Sequence, residues 1–180
     1  WELGVEVLRR DPNEARRANS PYSIHAALAL ASLGAKEKTA TELGSMLFSG
    51  SSADFISSYG SLNESIARDQ SGSICEVANS VWVSDKGEML ANYRKTAAEF
   101  FSADARSINF SESEKAISVI NSWVSHKTHA HIPNILSPGS IDSDTSAVLV
   151  NAAYFRGRWI YPFEKNDTRD EDFWMGNNES

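Results

Sequence analysis

The chain has 180 residues, of which 41% are hydrophobic and 23% are charged, and its formal net charge is −7. These values are typical of a globular protein with one domain and a core of its own. The negative net charge argues against nucleic acid or a membrane surface as a partner. No apolar run in the sequence approaches the ~20 residues that cross a bilayer.

The single cysteine, Cys75, cannot form an internal disulfide, and it lies in a strand-like stretch. It is either a small structural hydrophobe or a reactive thiol, so the redox compartment stays undetermined. The chain begins at Trp1 without an initiator Met, from which we expect that an N-terminal segment has been removed. Four N-glycosylation triplets, where chance gives roughly two, favour a secreted, extracellular glycoprotein over an intracellular protein. Their asparagines are Asn63, Asn109, Asn166 and Asn178.

The first part of the chain is predicted to be helical. The spacing of Trp1, Val5 and Leu8 is that of one apolar helix face. Ser20 can cap the next helix and Pro21 fits its first turn.

The body of that helix, residues 24–33, is rich in alanine and almost free of charge, a composition that predicts a buried helix ending at Gly34. Thr39 and Glu42 have capping-box spacing for a third helix. A weaker amphipathic helix is predicted over residues 55–68.

The remaining chain alternates strands with helices. Ser111 and Glu114 again have capping-box spacing, and the helix that they open should end by Pro133. The other predicted elements are a strand over 73–84, a helix over 93–101, a short strand over 107–110, a strand over 147–155 and a short extended piece over 171–174.

The strand over 147–155 is a continuous apolar run between turn signals, which predicts burial on both faces. Asn151 interrupts it, and an unpaired buried amide costs on the order of 1–3 kcal/mol. Asn151 is therefore either part of a buried polar latch or paired with a neighbouring loop.

Three histidines, His126, His129 and His131, fall within six residues. They are either metal ligands of an enzyme or polar residues at a helix C-terminus, where partial positive charge suits the helix dipole. The sequence has no Gly-x-Ser-x-Gly elbow and no phosphate-binding loop, and no carboxylate lies in an apolar run. These patterns exclude most classes of enzyme.

Residues 149–159, followed by Pro162 and Phe163, read LVNAAYFRGRW and resemble a segment of the serpin family. Further resemblances follow the family order and cover essentially the whole chain. They are residues 19–24 with 29–35 and 39–40, similar to helix B; residues 120–124 with Thr128, similar to helix F; and Ile132, Leu136 and residues 138–141, similar to the link from helix F to strand 3 of the central sheet.

The resemblance implies an α+β serpin fold, in which a central mixed β-sheet A is surrounded by helices A–F. Residues 1–180 would be an incomplete portion, the N-terminal half of a single serpin domain. A protease that cleaves the exposed reactive loop of a serpin lets the loop insert as a new strand of a metastable sheet, with the protease attached. The implied function is suicide inhibition of a serine or cysteine endopeptidase, without enzyme activity or a cofactor. The alternative is a non-inhibitory serpin that acts as a carrier, storage protein or chaperone.

By resemblance, Ser20, Ser23 and Asn151 belong to the polar shutter beneath the parting strands, and Trp159 lies at the breach where insertion begins. Residues 113–129 would be helix F, which must yield during insertion. The helix over 55–68 carries one Arg and no Lys, so no polyanion site is evident in helix D. The reactive loop would lie beyond residue 180. The expected partners are a target protease, reached through that loop, and the C-terminal half of the same serpin.

Overall fold

The computed structural model describes residues 20–48, 51–68 and 73–172. The predicted helix face at Trp1, Val5 and Leu8 lies outside these residues. The helices are α1 (Pro21–Gly34), α2 (Glu37–Leu47), α3 (Ser52–Arg68), α4 (Ala91–Phe101) and α5 (Ser113–Lys127); the strands are β1 (Ile74–Ser84), β2 (Ala103–Ile108) and β3 (Ala147–Arg156), and a 3-10 turn covers Lys165–Asp167. No helix in the described ranges is long and apolar enough to cross a membrane.

The three strands form one mixed sheet in the order β2-β1-β3. β1 runs parallel to β2, which it reaches through α4, and antiparallel to β3. The β1–β3 ladder places Asn79 directly opposite Asn151. The predicted α+β class with a mixed sheet is therefore confirmed.

Helix α5 covers one face of the sheet. Its buried residues Ile117, Ile120 and Val124 pack against Trp82 of β1 and Val150 of β3. Successive residues of a strand point to opposite faces, so Ser80, Trp82, Val148 and Val150 share this face. Trp123 anchors the helix at its far side, because its indole Nε1 donates to Asp104 Oδ2 of β2 at 2.7 Å.

Helices α1, α3 and α4 cover the other face with a second apolar cluster. Its buried members are Ala26, Ala29, Leu30, Tyr59, Val81, Ala97, Phe101 and Ala103. His25 ties α1 to the end of α2: its Nε2 lies 3.1 Å from the Leu47 carbonyl oxygen, which can only accept, so this nitrogen carries the hydrogen. Burial raises the pKa of Tyr93, and its neutral hydroxyl donates to the Leu30 carbonyl at 3.1 Å.

The sequence predicts some helix starts correctly and others not. Ser20 caps α1, with Pro21 in the first turn, as expected. The capping box at Thr39 is wrong, because α2 begins two residues earlier, at Glu37. The box at Ser111 is also wrong: the Ser111 backbone N–H donates to Asn109 Oδ1 in a turn, and α5 starts only at Ser113.

The two predicted strands that differ from the structure do so for tertiary reasons. The strand expected over 107–110 runs instead over Ala103–Ile108, where it pairs with residues 79–84 of β1, and Phe110 is buried among the residues beneath α5. The strand over 147–155 is present as β3, but burial on both faces is wrong. Val150 and Ala152 are buried under α5, whereas Phe155 is 72% exposed.

Candidate functional site

The two strands β1 and β3 are joined by a pair of side-chain amides. Asn151 Nδ2 donates to Asn79 Oδ1 at 2.7 Å, and Asn79 Nδ2 donates to the backbone carbonyl of Phe101 at 2.9 Å. Asn79 is only 2% exposed. This amide pair, Asn79 with Asn151, lies on the face that α1 covers, and it connects β3 through β1 to the end of α4.

One atom of the amide pair has no partner. Asn151 Oδ1 is buried, and no donor among the described residues reaches it. A buried acceptor without a hydrogen bond costs about 1–3 kcal/mol. Both hydrogen-bonding groups of the Asn79 amide therefore have partners, whereas Asn151 Oδ1 lacks a donor among the described residues.

The two serines of the predicted site lie at the N-terminus of α1, and α1 packs against both β1 and β3. Ser23 Oγ donates to Ser20 Oγ at 2.9 Å, and the Ser23 backbone N–H donates to the same oxygen at 3.2 Å. The serines thus bond to each other. The hydrogen bond from Asn151 goes to Asn79, which the sequence analysis did not select.

The sequence contains a pattern that could have identified Asn79 as a site residue. Asn79 stands beside Ser80 in a stretch that is otherwise apolar, between Val77 and Val81. The same argument that selected Asn151, a polar side chain inside an apolar strand, applies to Asn79. Only the strand register, however, shows that the two amides face each other.

Trp159, the residue expected at the breach, lies beyond the end of β3 and is 73% exposed. Its ring makes an edge-on contact with Phe163, with the centroids 5.7 Å apart. Ile160, Tyr161 and Phe163 are each at least 78% exposed. This exposed apolar segment, residues 155–163, is too apolar to be a typical fully solvated connection.

Helix α5 and the linker to β3 are held together by Asn121. Its Nδ2 donates to the Leu136 carbonyl at 2.9 Å, and its Oδ1 accepts from the backbone N–H groups of Ile135 and Leu136 at 3.0 and 2.9 Å. Thr128 adds a second attachment, since its Oγ1 accepts from the Ile132 N–H at 3.1 Å. These hydrogen bonds attach the linker to α5.

The three histidines do not form a metal site. No group of three metal-binding side chains occurs within residues 20–48, 51–68 and 73–172. His126 is in the last turn of α5, as the helix-dipole interpretation expects, while His129 and His131 lie in the turn beyond it. Both of the latter rings contact Tyr154 of β3.

The predicted glycosylation asparagines have different environments. Asn63 Nδ2, the atom that would carry a glycan, donates to the Phe100 carbonyl at 2.7 Å, and Asn63 Oδ1 accepts from the Tyr22 hydroxyl. A glycan at Asn63 would replace one of the two Nδ2 hydrogens and would have to fit beside the Phe100 carbonyl. Asn109 is half-buried, Asn166 is exposed, and Asn178 lies outside the described residues.

A mixed sheet with a helix laid across one face is the arrangement that the sequence resemblance predicted, whereas the polar pair under the other face joins Asn151 to Asn79 and not to the two serines. The family model Serpin (serine protease inhibitor) matches residues 3–180. The chain therefore belongs to the serpin family, and the relatives that it matches include proteins named as protease inhibitors.

Similar relatives come from vertebrates and insects. Serpin B6 of Pongo abelii is 35% identical over 164 residues, which are 89% of this chain and 44% of the relative. Serine protease inhibitor 42Dd of Drosophila melanogaster is 35% identical over 97% of this chain and 48% of its own length. Leukocyte elastase inhibitor A of Mus musculus is 37% identical, over 86% and 41%. The chain thus spans about half the length of the relatives that it matches.

Solved structures agree with this assignment. Serine protease inhibitor (serpin) 12 of Manduca sexta matches with a TM-score of 0.90 and 29% identity, over 99% of this chain and 50% of that chain. Native protease nexin-1 with heparin matches with a TM-score of 0.91 and 28% identity, over 99% and 48%. The predicted serpin fold, as an incomplete portion, is confirmed.

Proposed function

We propose that the protein to which this chain belongs is a suicide inhibitor of a serine or cysteine endopeptidase, and that its central sheet accepts the cleaved reactive loop as a new strand. Relatives named as a serine protease inhibitor and a leukocyte elastase inhibitor support the inhibitory activity. The observation that carries the mechanism is the outer edge of β3, which pairs with no strand among the described residues. Extended segments bind to such edges through main-chain hydrogen bonds.

In this proposal, Ser20, Ser23 and Asn151 form the shutter, and Asn79 is added to it. The buried Asn151 Oδ1 points to a donor supplied from outside the described residues. The family resemblance provides one, a shutter histidine beyond residue 180. A directional amide cluster of this kind closes the sheet before insertion and can re-form around the inserted strand, which apolar packing alone would not do.

We further propose that residues 1–180 are the N-terminal half of one serpin domain, and that the C-terminal half covers the exposed apolar segment with Trp159 at the breach. The exposure of Ile160 and Tyr161, 89% and 87%, supports this, because apolar side chains of that size are rarely left so open. The isolated 1–180 chain should aggregate, and it should become monomeric with the remainder of the protein. A cooperatively melting monomer of residues 1–180 alone, observed by sedimentation and calorimetry, would contradict the proposal.

The inhibitory function is tested with the intact natural protein and a panel of serine and cysteine endopeptidases. An inhibitor forms a covalent complex that survives detergent on a gel. If every protease that cleaves the loop releases the product without such a complex, the inhibitory proposal fails and a carrier, storage or chaperone role replaces it.

The shutter is tested separately by the rate at which the intact protein loses inhibitory activity on warming. Asn151→Ala should accelerate this loss about tenfold, as expected from the cost of one buried hydrogen bond. Asn134→Ala removes an exposed amide that is not a glycosylation acceptor, and it is the matched control. Equal rates for the two variants would exclude Asn151 from the shutter.

An extracellular location and glycosylation belong to the same proposal, with an intracellular serpin as the alternative. Among the described acceptors, Asn166 is exposed, whereas Asn109 is half-buried and its Nδ2 donates to Glu112 Oε1 at 3.3 Å. The mass of the natural protein before and after enzymatic deglycosylation tests this directly. An unchanged mass would remove the argument for secretion.

A further inference from the structure

The turn that follows α5 has an unusual backbone. The Ala130 N–H donates to the Ser125 carbonyl at 2.8 Å, and the His129 N–H lies 3.4 Å from the His126 carbonyl, the two bonds of a Schellman motif. Glycine usually occupies the left-handed position of this motif, because other residues are strained there. Here His129 and Ala130 both have positive φ, 50° and 62°. A histidine in this place needs a reason.

The His129 side chain provides one by contacting both strands of the β1–β3 pair. Its Nε2 lies 2.6 Å from Glu76 Oε2 of β1, and its ring packs edge-on against Tyr154 of β3, with the centroids 4.8 Å apart. Glu76 and Tyr154 are directly opposite each other in the ladder. His131 stacks on the same Tyr154 ring at 5.3 Å.

We propose that His129 is a protonation-sensitive clasp that fastens the end of α5 to the Glu76–Tyr154 pair and holds it more tightly when the imidazole is charged. A carboxylate only accepts hydrogen bonds, so Nε2 carries a hydrogen in either state. Adding the second proton turns a neutral hydrogen bond into a charge-assisted one, which is stronger. The clasp concerns the attachment of α5 and does not depend on protease inhibition.

Other ionisable groups lie near His129, and their charges affect how strongly its attachment to Glu76 changes with pH. A cation near the face of the Tyr154 ring is favourable. Positive groups oppose the charging of His129 through repulsion. The neighbours that titrate or carry charge are Glu76 and Cys75 on β1, Tyr154 and Arg156 on β3, and His126, Lys127 and His131 on α5 and its turn.

The direction of the pH effect follows from this chemistry. Imidazoles gain their proton as the pH falls through the range from about 7 to 6. The attachment of α5 is therefore expected to be tighter at pH 5.5 than at pH 8. Both partners are about half exposed, with 54% exposure for His129 and 50% for Glu76, so solvent screens the pair and the expected change is only about threefold.

The test is hydrogen–deuterium exchange of the Ala130, His131 and Ile132 amides in the intact protein, expressed as protection relative to the unfolded chain at each pH. Protection should rise about threefold from pH 8 to pH 5.5. His129→Gln keeps an N–H donor for Glu76 but cannot be charged, so it should abolish this rise. His126→Gln removes a histidine from the same helix end and should retain it.

A second variant changes the partner of His129, which lies outside the strained turn. Glu76→Gln removes the carboxylate, and its effect at pH 5.5 should not add to that of His129→Gln, because both break one interaction. A rise in protection that persists in His129→Gln, or additive effects of the two changes, would overturn the clasp. Because the readout is local exchange, a protein that inhibits no protease would still give a decisive result.

Discussion

The two faces of the β1–β3 strand pair are built from different chemistry. Toward α5, Trp82, Val150 and Ala152 meet an apolar helix face, and no side-chain hydrogen bond between described residues joins β1 to β3 within this packing. Toward α1, the amide pair of Asn79 and Asn151 joins the strands at one fixed position. A slip of one residue would move a strand's side chains to the opposite face, so an amide would then meet α5. Apolar packing thus supplies most of the stability, and the amide pair specifies the register.

The largest expected effect comes from breaking the apolar face. Ile120 lies on the sheet-facing side of α5 and is fully buried, and Ile120→Ala should lower the free energy of unfolding of the intact protein by about 2–5 kcal/mol through lost contacts and a residual cavity. Val119, its neighbour on the same helix, is 40% exposed. Val119→Ala should cost clearly less in urea denaturation. Equal losses would mean that α5 is not held by its sheet-facing side.

Substitutions on the polar face should lower the free energy of unfolding by less, and their effects should not be additive. Asn79→Ala and Asn151→Ala should each cost about 1–3 kcal/mol, and the double variant should cost less than the sum. Ser23→Ala should also couple to Asn151→Ala, but less strongly, since Ser23 bonds to Ser20 and not to the amide. Unfolding free energies and unfolding rates of the four proteins in each cycle measure this. If the effects of the two asparagine substitutions were strictly additive, the hydrogen bond between them would contribute nothing to stability.

The linker over α5 offers a more local test. Asn121→Ala removes three hydrogen bonds to residues 135 and 136 and should raise the exchange rates of the Ile135 and Leu136 amides about tenfold. Asn134→Ala changes an exposed amide of the same linker. We expect its exchange rates to match those of the wild type. If both variants loosen the linker equally, Asn121 is not its anchor.

The smallest effect is expected at the start of α1. Ser20→Ala removes the cap of this helix and should cost about 1 kcal/mol, whereas Ser20→Asp retains an acceptor and should cost less. Thermal unfolding of the intact protein distinguishes the two. A loss of several kcal/mol in Ser20→Ala would indicate that Ser20 does more than cap the helix, which would bring it into the same cluster as the asparagines.

Much of this architecture could be predicted from the sequence, because local chemistry decides it. Ser20 and Pro21 define the start of α1, and the apolar run defines β3 without knowledge of any neighbour. The capping boxes predicted at Thr39 and Ser111 are wrong, because the residue at which a helix begins also depends on the turn that precedes it. In the turn before α5, the Ser111 N–H donates to Asn109 Oδ1 and is not available for a capping box.

The partners of the site could not be predicted, because they are set by strand pairing. Asn79 and Asn151 are 72 residues apart, and only the register brings them together. The same is true of His129 and Glu76, which are 53 residues apart. The histidines were selected for their spacing along a helix, yet two of them contact a tyrosine on a strand.

The position of β1 has a consequence for how the sheet can widen. β1 is bonded along both sides, to β2 over residues 79–84 and to β3 over residues 74–83. Among the described strands, β1 has no free edge, so a new strand could join only at the outer edge of β2 or of β3. In the proposed insertion beside β3, the ten paired positions between β1 and β3 need not separate. In the proposed shutter, such an insertion would leave the Asn151–Asn79 hydrogen bond in place, and Asn151 Oδ1 would be the atom that gains a new partner.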